Sequence, residues 1–118
     1  MPELLREPTF LILTALAREP MHGYGLISEV STLSDGRLTL RPGTLYGALD
    51  RLGDDGLVAT DREEIVDGRL RRYYRLTDRG ETVLRAETER MRLNVQAASQ
   101  RLRARERATS TRLAAGVA

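Results

Sequence analysis

Residues 41–57 read RPGTLYGALDRLGDDGL, and the fold turns on how that stretch is read. Pro42 suits the first turn of a helix, where its missing N–H leaves no bond unmade. Leu45, Ala48, Leu49 and Leu52 recur at i, i+3, i+4 and i+7, an apolar stripe at helical spacing. Gly56 stands where a left-handed C-cap is expected. These residues predict a short amphipathic helix with a definite start and stop. Its outer face is lean: Thr44 and Gly47 are small, Tyr46 flanks them, and Arg51 is the only cation in the helix interior. A low-profile face with a few donors suits the DNA major groove, about 12 Å wide. An ordinary surface helix has the same pattern, so the neighbouring stretches must discriminate.

Upstream, residues 8–18 (PTFLILTALAR) predict a helix opened by Pro8, with Phe10, Leu13 and Ala17, then Leu11 and Leu16, covering more than one face. Such a helix is buried on two sides, against its own domain and against a partner, a surface that Leu4 and Leu5 extend. Glu19 and Pro20 end it, because the residue before a proline avoids the helical region. Residues 21–33 (MHGYGLISEVSTL) predict a second helix, with Tyr24, Ile27, Val30 and Leu33 on one face and Leu26 beside it. Gly23 and Gly25 each lower helix propensity by roughly 1 kcal/mol relative to alanine, and such glycines mark close backbone approach. His22 is the one histidine. Without a cysteine, a second histidine or an evident acid partner, it reads as a packing or helix-start residue rather than a ligand or base. Ser34, Asp35 and Gly36 form a turn, and residues 37–40 are a brief extended piece.

After Gly56 the pattern changes to period two. Residues 57–66 and 69–76 read as strands, and Asp67-Gly68 between them is a two-residue hairpin signal. That turn pairs Val66 with Arg69, Glu64 with Arg71 and Glu63 with Arg72, so opposite charges face one another. Arg69, Arg71, Tyr73 and Arg75 share one face. With Arg72 they make the most concentrated positive site in the chain. Cross-strand carboxylates can neutralise part of it, but Arg69, opposite Val66, has no such partner. It is the prime candidate for a phosphate or minor-groove contact.

Thr77 is an expected N-cap, with Asp78 and Glu81 well placed in the first turn. A single long helix then runs to about residue 107. Leu84, Thr88, Met91, Val95, Ala98 and Leu102 follow alternating steps of four and three, a heptad seam. A helix of roughly 30 residues is about 45 Å long and projects beyond what one small domain covers. It asks for a partner, most simply its own copy, although packing back on the first helix is compatible with that. Residues 109–118 are expected to fray.

The totals bound these readings. With 118 residues, 41% hydrophobic but only 4% aromatic and without tryptophan, the chain can fill one core, mainly with Leu, Ile, Val and Ala. A net charge of +2 is too small to identify a nucleic-acid binder, so the case rests on where the charges lie. All 19 basic residues are arginine, from codon bias or from a preference for planar, bidentate contacts to phosphate or guanine. Without cysteine, disulfides, thiolate catalysis and Cys-based zinc sites are excluded. No run of about 18 apolar residues is present to span a membrane. The opening MPELLREPTF is not a basic-then-apolar signal, and a reduced cytoplasm is the expected location. No nucleophile–base pair, metal cluster or phosphate-cradling loop can be assembled, so neither catalysis nor a cofactor nor a metal is expected.

Helix, helix, turn, helix, then an arginine-bearing hairpin is the winged helix-turn-helix plan: mainly α, with a small β-hairpin and a long C-terminal helix. The sequence also resembles the PadR family of bacterial transcriptional regulators, in particular its short-tailed members. PMHGYGL at residues 20–26, GTLYGALDRLGDDGL at 43–57 and RRYYRLTDRG at 71–80 carry the match, which with the apolar opening helix covers residues 8–80. The resemblance implies a homodimer that binds double-stranded operator DNA, usually as a repressor, and lets go when a small-molecule effector binds or conditions change. It implies Tyr24 near the DNA backbone or locking the start of its helix. Gly43, Thr44 and Tyr46 would open the recognition helix, and Arg69 and Arg71 would belong to the wing. Some members hold flat aromatic drugs between tryptophans at the dimer interface; this chain has no tryptophan and departs from them there.

The expectation is a DNA-binding domain over residues 1–76, a dimerisation helix over 77–108 and a flexible tail over 109–118. Tyr24, Arg41, Gly43, Thr44, Tyr46, Arg51, Arg69 and Arg71 are the expected DNA-contacting residues. Leu84, Met91, Val95, Ala98 and Leu102 are the expected dimer seam. The competing reading is a winged-helix protein-interaction module without a DNA role, favoured by Asp50, Asp54 and Asp55 on the central helix.

Overall fold

Four helices and three strands follow one another in the computed structural model, which describes residues 5–117. Residues 1–4 of the expected DNA-binding domain, Leu4 among them, and residue 118 of the expected tail lie outside the described residues. The order is α1 (Glu7–Arg18), β1 (Met21–His22), α2 (Gly23–Leu33), α3 (Pro42–Asp54), β2 (Val58–Val66), β3 (Arg69–Leu76) and α4 (Asp78–Val117). The strands form an antiparallel sheet in the order β1-β3-β2. By contacts the chain divides into two units, Met1–Arg85 and Ala86–Ala118.

The core of the first unit is aliphatic, as the composition requires. Ile12, Leu13, Ala15 and Leu16 of α1 meet Leu26 and Val30 of α2, and Leu45, Ala48, Leu49 and Leu52 of α3. The stripe read from residues 41–57 is thus the buried face of α3. Ala17, expected among the apolar faces of α1, is exposed. In α2 the buried face centres on Gly23, Leu26 and Val30, whereas Tyr24 and Leu33 point outward.

Turn chemistry sets the joints. Ser34 is buried; its Oγ accepts from the Leu38 N–H at 3.0 Å and donates to the Ser31 carbonyl at 3.2 Å. Asp35 and Gly36 take the left-handed conformation, φ 54° and 79°, and reverse the chain between α2 and α3. Asp67 and Gly68 are left-handed too, φ 52° and 75°, the conformation of a tight two-residue hairpin turn. The register at the tip is the expected one, Val66 to Arg69, Glu64 to Arg71 and Glu63 to Arg72. Nearer the base a bulge between Thr60 and Arg62 leaves Asp61 without an opposite residue.

Three features depart from the sequence expectation. Met21 and His22, expected within a helix, are a two-residue strand pairing Tyr74 and Tyr73, because the outer edge of β3 offers free backbone groups. The first two turns of α4 belong to the first unit, where Val83 and Leu84 pack on the core. Helix α4 runs to Val117, about ten residues beyond its expected end, since residues 108–115 hold no glycine or proline to stop it.

Thr77 fastens the start of α4. Its Oγ1 accepts from the Gly80 N–H at 3.0 Å, the N-cap bond, and donates to the Gly56 carbonyl at 2.6 Å. Gly80 is buried, and a Cβ there would collide with the Leu57 carbonyl oxygen. The helix and the residue leading into β2 approach so closely that only glycine fits.

Candidate nucleic-acid interface

A groove of about 520 Å³ opens between the start of α2, helix α3 and the hairpin. Tyr24 and Tyr46 line it together with Arg69, Arg71 and Arg72. Tyr24 is 74% exposed and Tyr46 44%, so both rings present themselves to solvent instead of filling the core.

The position of Tyr46 depends on glycine. A Cβ at Gly23 would overlap the Tyr46 hydroxyl and lie 2.9 Å from its ring carbon Cζ. Gly23 is itself buried, so the first residue of α2 serves as a seat for the aromatic of α3. Gly25 is similar, with the His22 ring 3.3 Å from where its Cβ would be. Both glycines mark close approach, as the helix-propensity cost implied, and the structure supplies the partners.

On the wing, charge is partitioned unevenly. Arg72 Nε donates to Glu63 Oε1 at 3.1 Å, the cross-strand pair expected from the register. Glu64 stands opposite Arg71, yet it accepts from Arg62 Nε at 2.8 Å instead. Arg62 also donates to Asp61 at 3.1 Å and lies over the Tyr73 ring, 3.9 Å from its centroid. The Arg62 guanidinium holds the Glu64 carboxyl below the usual carboxylate range. One arginine thus occupies two carboxylates and a ring. Among the described residues, neither Arg69 nor Arg71 is in an ion pair.

His22 lies beneath this surface. Its ring meets Tyr73 edge-on, centroids 5.3 Å apart at 64°. Burial, and then the Arg71 charge, push its pKa below the ordinary imidazole value, while Glu64 opposes the shift. Its charged form is thereby disfavoured, and the ring packs on Tyr73.

The eight candidate residues do not form one cluster. Tyr24, Tyr46, Arg69 and Arg71 meet at the groove. Arg41 at the N-cap of α3 and Gly43 and Thr44 on its first turn are exposed, outside the groove lining. Arg51 borders a different cleft, with Leu5, Arg6, Thr9 and Asp55. His22, Gly23, Val66, Asp67, Leu70 and Arg72 line the groove without having been singled out for it. Alternation along β3 assigns Leu70 and Arg72 to the face opposite Arg69 and Arg71, and nothing in the sequence pairs Gly23 with Tyr46.

The described part of the second unit is the remainder of α4. Val95 and Leu102 of the seam are 65% and 59% exposed, Ala98 is exposed and Met91 is half-buried. Leu84, the first seam residue, is instead half-buried on the core of the first unit. Among the described residues no helix is long and apolar enough to cross a membrane.

Comparison with known proteins agrees with this architecture. The family model described as the transcriptional regulator PadR-like family matches residues 12–86. The transcriptional regulator Rv3488 of Mycobacterium tuberculosis is 42% identical over 73 residues, 62% of this chain and 64% of that protein. The chain therefore spans just under two thirds of that relative's length. A PadR family transcription regulator from Clostridium difficile superposes with a TM-score of 0.69 at 24% identity, over 82% of this chain and 99% of that one. Bacillus subtilis PadR, solved in complex with operator DNA, gives 0.61 at 24% identity, over 69% and 47%. At those identities the two structures share the fold, a winged helix with a long C-terminal helix. With its family model spanning α1 to the start of α4, the chain belongs to the transcriptional regulator PadR-like family.

Proposed function

We propose that the protein is a homodimeric, sequence-specific DNA-binding regulator that works as a repressor and is released by a small-molecule effector. The observation that carries the DNA reading is the groove lined by two exposed tyrosines and two arginines free of ion pairs. Exposed aromatics give apolar and hydroxyl contact, while guanidinium groups outside ion pairs suit phosphate oxygens. Arg41 and Thr44 at the start of α3 then reach base edges or the flanking backbone, and Arg69 and Arg71 hold the adjacent strand. Exposure of Val95, Ala98 and Leu102 supports pairing of α4 with a second copy. Such a dimer reads half-sites about 34–36 Å apart, or a multiple of that, on a pseudo-palindrome. Repression and effector release are carried over from the family resemblance.

Fluorescence anisotropy with a fragment from upstream of the protein's own gene, against a random duplex, tests the reading. Preferential binding to the upstream fragment is expected, with footprints one turn apart. Arg69→Ala should weaken binding to every sequence alike and reduce the salt slope by about 0.9, the signature of one lost phosphate contact. Equal affinity for both duplexes at physiological salt would leave the protein-interaction module as the better account.

A further inference from the structure

The positive charge of this chain is not mainly on the wing. The first 100 residues hold 14 arginines against 16 acids, a net charge of −2. Residues 101–118 hold five arginines and one acid, a net +4. All five, Arg101, Arg103, Arg105, Arg107 and Arg112, are exposed on the distal part of α4.

The proximal part of the same helix treats its arginines differently. Arg85 pairs with Glu81 at 2.7 Å, Arg90 with Glu87 at 2.5 Å and Arg92 with Glu89 at 2.7 Å, each one turn back. The distal five have no acid three or four residues before them, and among the described residues none is in an ion pair. Arg101 and Arg105, and again Arg103 and Arg107, are like charges at i,i+4, which destabilise a helix. The helix dipole accounts for at most Arg112, since that effect fades within the last turn. Here local stability gives way to charge, as it does at functional sites.

The placement says what kind of partner fits. At 3.6 residues per turn, Arg101 and Arg105 lie on one side of the helix and Arg103 and Arg107 about 160° around it. A helix bound flat to a membrane needs one cationic face and one broad apolar face, and this segment has neither. Continuing the seam spacing past Leu102 lands on Arg105, Thr109 and Arg112, so the apolar reason for pairing with a second copy ends at Leu102. A helix is about 10–12 Å across, close to the width of the major groove, and arginines on opposite sides of it can reach both phosphate strands.

We propose that residues 101–112 of α4 form a second, sequence-independent contact with duplex DNA, separate from the tyrosine–arginine groove, in which a rod of helix is gripped by phosphates on both sides. The proposal rests on the reading of the protein as a DNA binder. Its test uses the full chain with Arg101, Arg103, Arg105 and Arg107 all changed to Gln, and a second variant with all four changed to Lys. Circular dichroism checks the helix, which both side chains favour about as well as arginine.

The probe is a random-sequence duplex titrated across a salt series, with the upstream fragment alongside. The Gln variant is expected to lose at least two phosphate contacts, so its log–log salt slope falls by about 1.8 or more, while the Lys variant keeps the wild-type slope. Preference for the upstream fragment should survive. A Gln variant that is folded and has an unchanged slope overturns this inference and leaves the groove reading standing. Wild-type protein that binds no duplex overturns both. Loss of binding to phosphatidylserine vesicles, with DNA binding unchanged, overturns the inference in favour of a lipid surface. If the Gln variant is misfolded, the pair Arg103→Gln and Arg107→Gln replaces it, with a slope change of about 0.9 or more expected and no change overturning the proposal.

Discussion

Arg62 points its guanidinium at Glu64, Asp61 and the Tyr73 ring and does not line the groove, yet it controls what the groove presents. By occupying Glu64 it keeps that carboxylate from the arginine directly opposite, Arg71. Arg62→Ala is expected to free Glu64 to pair with Arg71 and to weaken DNA binding by severalfold. Restoration in Arg62→Ala/Glu64→Gln would identify the carboxylate as the cause; a double variant as weak as the single would refute it. His22 makes a pH prediction. Its folded pKa is depressed, so the unfolded chain binds more protons once the pH falls through the ordinary imidazole value, about 6.5. Its contribution to stability is therefore flat above that pH and is lost as the pH drops below it. His22→Gln should flatten this part of the Tm-against-pH curve, and an unaltered curve would assign the loss to other groups.

Elements with a strong internal period are legible in the sequence alone. Pro42, the leucine stripe and Gly56 delimit α3, and Asp67-Gly68 sets the hairpin register to the residue. What escaped was set by neighbours distant in sequence. Two residues, Met21 and His22, are too few to carry a period, and they are a strand only because β3 has an open edge. The seat of Tyr46 on Gly23 joins positions 23 residues apart, and Glu64 goes to Arg62 through side-chain reach that register alone does not reveal. Of the candidate site, Tyr46 and the wing arginines follow from type and spacing and Tyr24 from the family resemblance alone, whereas Arg51 lies at another cleft. The joint between β2 and α4 gives the element-scale prediction. Alanine for Gly80 gains about 1 kcal/mol of helix propensity. It also drives a methyl into the Leu57 carbonyl, and overpacking of that kind costs about 1–3 kcal/mol. Backbone cannot step aside, so Gly80→Ala should lower Tm in a thermal melt; a raised Tm would contradict so close a contact.

For the whole molecule, function as proposed depends on two copies. Val95 and Leu102 are exposed in the single chain. Val95→Glu with Leu102→Glu places carboxylates in the seam and should give a monomer by sedimentation at micromolar concentration. Operator affinity should fall by orders of magnitude, because the second half-site no longer binds as an intramolecular event. A variant that stays dimeric would move the interface elsewhere. The bulge at Asp61 has a further bearing, on how such a wing can change length over evolution or by design. Side chains alternate with period two, so one residue added near the tip would turn the arginine row over to the opposite face. Insertions there must come in pairs. At Asp61 the ladder already carries an odd residue, so a single insertion or deletion can be absorbed there without inverting the sequence beyond it.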